Sequence, residues 1–244
     1  MNPHRSAKIV AGDDPRVVNG EPSMINYLDA LNAFELAREA DRVTGMPAAA
    51  SFKHVSPAGA ALAGKIDEVA ARTWKLGPSE DGILLSAYVR ARDADPKSSH
   101  GDVAALSRPV DQVTAAFLCS VICDAVITPG YEPGVAEVLA SKRSGQFLVL
   151  EADPSRVPPT RERRDVLGVT IEQERDTVPA DSVLPDDGGL ERKSRIDAIL
   201  GLVTLRYTQS NSVALVREGV AIGIGAGQQN RVDCVRLAAA KART

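Results

Sequence analysis

Lys53 and His54 stand side by side, and an imidazole next to an ammonium is a pair that can move protons and hold anions. A neutral imidazole can take the proton of an attacking amine near neutral pH. The neighbouring lysine's like charge favours that neutral form. A surface Lys–His pair with no function would read the same way. Asn211 offers a donor and an acceptor, which suits it to orienting an amide or a polarised carbonyl. An Asx-turn or a helix cap needs the same residue. Arg206, Arg231 and Arg236 carry bidentate forks for phosphate or carboxylate, although each alone reads as a solvated surface residue. Asp124, at a predicted helix-to-strand junction, can accept hydrogen bonds from a ligand or serve as a cap. Cys119 and Cys123 would share one face of a helix predicted over 113–123. With only Cys234 and three histidines to complete a metal site, core packing outweighs zinc ligation.

The elements that must position these groups are best marked at 206–236. A polar knot, 208–212, precedes the apolar run 213–216, a turn at Glu218-Gly219, and a second run over 220–224. Gly223, Gly225 and Gly227 then lead to Gln228, Gln229 and Arg231. The pattern predicts strand, hairpin turn, strand, glycine turn and helix start. It places Asn211 at one end of the paired strands and the glycines at the other, their backbone N–H groups bare for a ligand. An ordinary hairpin before a helix is the plainer reading. The glycine run lacks both the dinucleotide fingerprint and the Gly-Lys-Ser/Thr ending of a P-loop.

Elsewhere the pattern alternates helices and short strands, which predicts an α/β fold. Residues 2–22 read as irregular. A helix capped by Ser23 or Asn26 runs to about Val43, with Tyr27, Leu31, Phe34 and Ala37 at helical spacing. A short strand over 48–52 leads into Lys53-His54, and 55–59 reads as a turn, with a helical face at Leu62, Ile66 and Val69 beyond it. The chain breaks at 77–80; a helix follows from Ile83 to near Arg92, then a polar loop over 93–102. Further helices are predicted over 132–142, around 196–203, and from near Gln229 to the last residue. Strands are predicted over 125–128 and 146–150. The region 151–191, rich in proline and charge, offers one strand at 166–171 and a flexible loop at 181–189.

At 244 residues and 44% hydrophobic, the chain can bury a sizeable core as one large domain or two small ones. A net charge of −3, with both signs mixed along the chain, argues against nucleic-acid and membrane-surface partners. No apolar run approaches the roughly 20 residues that span a bilayer. The first residues have no signal-peptide pattern, and three cysteines fit a reducing cytoplasm.

Several segments together resemble one family. Lys53-His54-Val55-Ser56-Pro57-Ala58-Gly59-Ala60-Ala61 and Tyr207-Thr208-Gln209-Ser210-Asn211-Ser212-Val213 look like signature segments of the transformylase part of the bifunctional AICAR transformylase/IMP cyclohydrolase. Ile222 to Gln229, Asn2-Pro3-His4, Asn26 to Ala33, Gly101 to Ser107 and Pro129-Gly130-Tyr131-Glu132 resemble it too, in family order and over nearly the whole chain.

The resemblance implies formyl transfer from 10-formyltetrahydrofolate to the 5-amino group of aminoimidazole carboxamide ribonucleotide (AICAR). It assigns catalysis to Lys53, His54 and Asn211, and nucleotide contacts to Gly101, Asp124 and Arg231. It implies a cytidine-deaminase-like three-layer α/β/α unit without the deaminase zinc, assembled as a cytoplasmic homodimer with sites at the interface. Residues 1–190 would form the first such unit with a variable segment, and 191–244 a linking helix, a hairpin and the start of a second unit. Three departures stand out: Met1 replaces the family's Arg-Tyr-Gly segment and everything before it, the chain stops where the second half should begin, and His100 stands where a phenylalanine is usual. The alternative function is therefore a truncated nucleotide-binding or dimerising remnant with weak or no catalysis.

Overall fold

The computed structural model describes residues 5–12, 14–77, 83–184 and 189–242. Asn2-Pro3-His4, the chain break at 78–80 and residues 185–188 of the expected flexible loop lie outside them. Among the described residues there are ten strands: β1 (Arg16–Asn19), β2 (Ala48–Lys53), β3 (Ser56–Leu62), β4 (Asp102–Leu106), β5 (Cys123–Thr128), β6 (Leu148–Glu151), β7 (Arg161–Val166), β8 (Val169–Glu174), β9 (Val213–Arg217) and β10 (Val220–Gly225). Seven α-helices accompany them in the described residues: α1 (Met24–Thr44), α2 (Glu68–Thr73), α3 (Ile83–Asp93), α4 (Gln112–Ser120), α5 (Val135–Ser141), α6 (Arg192–Arg206) and α7 (Arg231–Lys241). Eight strands form one mixed sheet in the order β1-β6-β5-β4-β2-β3-β10-β9, while β7 and β8 pair separately. β4, β5 and β6 run parallel and the other neighbours antiparallel. The expected α/β class is what the chain adopts, with helices flanking a sheet.

Local chemistry explains the main supports. Ser23 caps α1 in a reciprocal box with Asn26, and Gly45 stops the helix in the left-handed region at φ 71°. Ala30, Ala33, Phe34, Ala37 and Ala40 recur every three or four residues and bury one α1 stripe against the sheet, where α6 joins it. α3, α4 and α5 cover the opposite face. β2 and β3 are buried on both faces and built largely of alanine, so helices approach closely. Gly59 marks the limit, since a Cβ there would lie 2.0 Å from the Ala91 carbonyl oxygen of α3.

Several expectations are corrected. Residues 16–19 form an edge strand rather than irregular chain, because β6 offers them a ladder. Residues 56–62 are a strand, not a turn followed by a helical face; the turn is confined to His54-Val55, and the helix begins only at Glu68 behind its Asp67 cap. The single strand expected at 166–171 is a hairpin turning at Leu167-Gly168. α4 stops at Ser120 and Cys123 opens β5, so Cys119 and Cys123 do not share a helix face. α7 ends at Lys241 rather than at the last residue. Asn211 and the glycines lie at the same end of the β9–β10 pair, because Val213 registers with Gly225. Gly223 and Gly225 serve packing: a Cβ on either would sit 2.2 Å from a carbonyl oxygen of α7. Their bareness admits a helix backbone.

Candidate active site

Strand register gathers the candidate residues at one end of the sheet. β2 ends at Lys53 and pairs Phe52 with Val103, which brings Lys53 beside the start of β4. β5 runs parallel to β4 with Cys123 opposite Asp102, which places Asp124 there too. On the other side Ser56 opens β3 opposite Lys53, and β10 runs antiparallel to β3, so β10 ends towards that opening. β9 starts beside the end of β10 and sets Asn211 at the same end.

Lys53, Gly101 and Asp124 are brought together closely. The Lys53 ammonium donates to the carbonyl oxygens of His100 and, at 3.2 Å, Gly101. Gly101 has φ 73°, and a Cβ there would lie 2.9 Å from Lys53 Nζ and 3.3 Å from Asp124 Oδ2. The left-handed backbone is what favours glycine here, while a Cβ would only press the ends of two side chains. Asp124, half-exposed, accepts from Arg143 Nη1 at 2.6 Å. Arg143 and Asp124 also line a neighbouring cavity of about 590 Å³.

His54 sits exposed on the two-residue turn between β2 and β3, with φ 54°, followed by Val55 at 61°. It lines a cavity of about 290 Å³ whose wall includes Lys53, Lys97, Lys241, His100 and Ala226, and no carboxylate. That wall favours an anionic ligand. Lys241 also pairs with Asp95 at 2.9 Å.

Asn211 is held one loop away. Its backbone N–H and Nδ2 both donate to the Gln228 carbonyl oxygen, at 3.2 and 3.0 Å, and Gly227 N–H donates to Gln209 O at 2.8 Å. This zips 209–211 to 227–228, while Ala226 reaches the His54 cavity. Asn211 and Arg231 do not line that cavity; Arg231 is exposed on the first residue of α7, behind the Asn230 cap. Of the other arginines, Arg206 is engaged by Glu39 and Asp176, and Arg236 pairs with Asp233 on its own helix. Among the described residues, no three His, Cys, Asp or Glu side chains are grouped as metal ligands would be. Cys123 is buried, which pushes its thiol up to about 11 against the opposing pull of Lys142, whose ammonium lies 2.9 Å from Sγ.

A family model described as the AICARFT/IMPCHase bienzyme matches residues 1–241. The chain belongs to that family. It is 31% identical over 258 residues to the bifunctional purine biosynthesis protein PurH of Roseobacter denitrificans, covering 99% of this chain and 44% of that protein. With the PurH of Cereibacter sphaeroides it shares 30% identity over 231 residues, 91% of this chain and 39% of that one. The chain thus spans less than half the length of these relatives.

Sequence reasoning missed the supports beneath the site. Asp102 is buried and accepts from Ser51 Oγ at 2.6 Å, the Tyr88 hydroxyl and Arg92 Nη1 at 2.7 Å. Arg92 also donates to Ser99 O at 2.7 Å and Ile122 O at 2.9 Å, bracing the loops that carry Gly101 and Asp124. Asp29 of α1 accepts from the backbone N–H groups of both His54 and Val55. Burial raises the Asp29 carboxyl above its ordinary 3.8, against those two N–H groups and the nearby His54 and Lys53. Only Asp29 and Asp102 had a signal, since both lie in family-like segments; nothing in the sequence pairs either with its partners.

Proposed function

We propose that this chain carries the amine-activating part of a formyl-transfer site, acting on AICAR with 10-formyltetrahydrofolate as donor. The observation that carries the reading is the meeting of Lys53 with Gly101 and Asp124 at one end of the sheet, beside the cation-rich cavity that His54 lines. In this reading His54 takes the proton that the nucleotide's 5-amino group sheds as its nitrogen bonds the formyl carbon. The bond from that carbon to the donor nitrogen breaks, and the proton is available to the departing nitrogen. Lys53, fixed by two backbone carbonyls, holds positive charge next to the histidine and helps retain the anionic substrate. Gly101 and Asp124 contact the nucleotide, and Asn211 steadies the developing oxyanion. Arg231, exposed on α7, is assigned the nucleotide's anionic end.

The same reading extends to architecture. The two-sided helical cover supports a deaminase-like three-layer unit. Residues 191–244 are read as the link towards a second unit and the whole as a cytoplasmic homodimer. β9 and β10, within that linking segment, continue the same eight-stranded sheet as β1 to β6.

A nucleotide-binding chain without turnover is the second reading, favoured by Asn211, which stands off the His54 cavity with its amide donating to the Gln228 carbonyl oxygen. A folate-absorbance assay with both substrates, run beside calorimetric titration of AICAR, separates the two. Turnover that falls on the order of 10²-fold in His54→Ala is the expected result. Equal rates in the two proteins would reject the role of His54. Binding without turnover would leave the second reading standing.

A further inference from the structure

Among the described residues, three two-residue hairpin turns have both residues at positive φ, in the left-handed region. They are His54-Val55 between β2 and β3, Leu167-Gly168 between β7 and β8, and Glu218-Gly219 between β9 and β10. Such turns match the twist of paired strands and strongly prefer glycine or asparagine. Two of the three have glycine second; the turn at the candidate site has valine, at φ 61°. A β-branched residue there is a genuine conformational outlier.

The two turns docked in the main sheet share one further device. Asp197 of α6 accepts from the N–H groups of Glu218, at 2.9 Å, and Gly219, at 2.6 Å. Asp29 of α1 accepts in the same way from His54, at 3.3 Å, and Val55. Asp29 is only 5% exposed, so this carboxylate is buried for the turn's two N–H groups. The isolated β7–β8 turn is built of Leu167-Gly168 and is exposed.

We propose that Asp29 is a positioning residue for His54. Its carboxylate holds the His54-Val55 turn in the left-handed form and so fixes where the imidazole stands over the cavity. Without both hydrogen bonds the valine would relax towards extended backbone and carry its neighbour with it. The burial that raises the Asp29 carboxyl is a standing cost of keeping this acceptor in place. This inference rests on the reading of His54 as proton acceptor, and its test is arranged to fail separately from that reading.

The variants are Asp29→Ala, Asp29→Asn and Asp29→Ala combined with Val55→Gly, all in the full chain. Backbone Cα shifts and HN–Hα couplings of residues 54 and 55, read by NMR on labelled protein, report the turn without any activity. Asp29→Ala should move both residues out of the left-handed region, and glycine at 55 should return them. In the formyl-transfer assay Asp29→Ala should lower kcat on the order of 10²-fold, the scale of an ångström's misplacement. The KM for the nucleotide should change less than about threefold, and Val55→Gly should restore kcat about tenfold, the scale of relieving one left-handed branched residue. Asp29→Asn, which keeps one acceptor oxygen, should fall between. Unchanged NMR parameters in Asp29→Ala would overturn the clamp, whatever the activity. A displaced turn with unchanged kcat would overturn the positioning role. Absence of turnover in the unmodified chain would reject the formyl-transfer reading and leave the clamp to the NMR result.

Discussion

Two arginine–aspartate pairs flank the Gly101 loop and share one chemistry in opposite surroundings. Arg92–Asp102 is 2.7 Å long with side chains 3% and 0% exposed; Arg143–Asp124 is 2.6 Å long with side chains 50% and 44% exposed. Distance is therefore no guide to what each pair does. The buried pair is tied into Tyr88, Ser51, Ser99 and Ile122, and either charge alone would be stranded. The exposed pair can trade its partner for water or a ligand at little expense. The difference divides scaffold from site: the loops are held from below by a pair that cannot let go, and open above onto a pair that can.

The largest effect should come from breaking the buried pair. Asp102→Ala or Arg92→Ala should destabilise the chain by about 3–5 kcal/mol in denaturant unfolding, because the remaining charge is left unpaired. The combined Arg92→Met/Asp102→Leu variant should recover much of that loss. Single-variant losses below about 1 kcal/mol would erase the contrast.

An intermediate case is Asp95–Lys241, with side chains 11% and 28% exposed. Its loss should cost about 1 kcal/mol. Its pH dependence sharpens the comparison. Burial pushes the Asp95 carboxyl up, but the Ser98 hydroxyl and N–H with Lys241 outweigh it and hold it below 3.8. Stability from Asp95 is therefore present above pH 3.8 and is lost as pH falls through the lower folded value. Asp102 has the opposite sign. Burial outweighs Arg92 and its hydroxyl partners and raises the carboxyl, so its contribution is greatest below 3.8 and declines as pH rises through the folded value. Acid-limb unfolding of Asp95→Asn should be flatter than that of the unmodified chain. An unchanged limb would contradict the assignment.

The smallest effect belongs to the exposed pair. Arg143→Ala should change stability by less than about 1 kcal/mol, and raising salt should remove even that. A larger loss, or one that persists in high salt, would mean that Arg143–Asp124 is scaffold after all.

Much of this was legible in the residues, and unevenly so. α1 could be read from a cap at Ser23 or Asn26 and from Phe34 and Ala37 at helical spacing, because capping and periodicity act over a few residues; Tyr27 and Leu31, expected on the same face, are only half-buried. β9 and β10 followed from two apolar runs around Glu218-Gly219. β1 and β4 escaped, since four or five residues carry too little alternation and their ladders are made by strands far along the chain. The β7–β8 hairpin was half-seen because all its residues are exposed and leave no buried face to read.

By itself the sequence determined which groups could act: Lys53 next to His54, Asn211 before a strand, and segments in the order of one enzyme family. Such facts survive because residue identity and short-range backbone preference need no partner. Tertiary structure alone decided who stands beside whom. Register put Gly101 between Lys53 and Asp124, α1 slid a buried Asp29 beneath His54, and α7 claimed Gly223 and Gly225 for its own backbone. Those choices join residues tens of positions apart, and they follow from strand pairing and burial, which no short stretch of chain encodes.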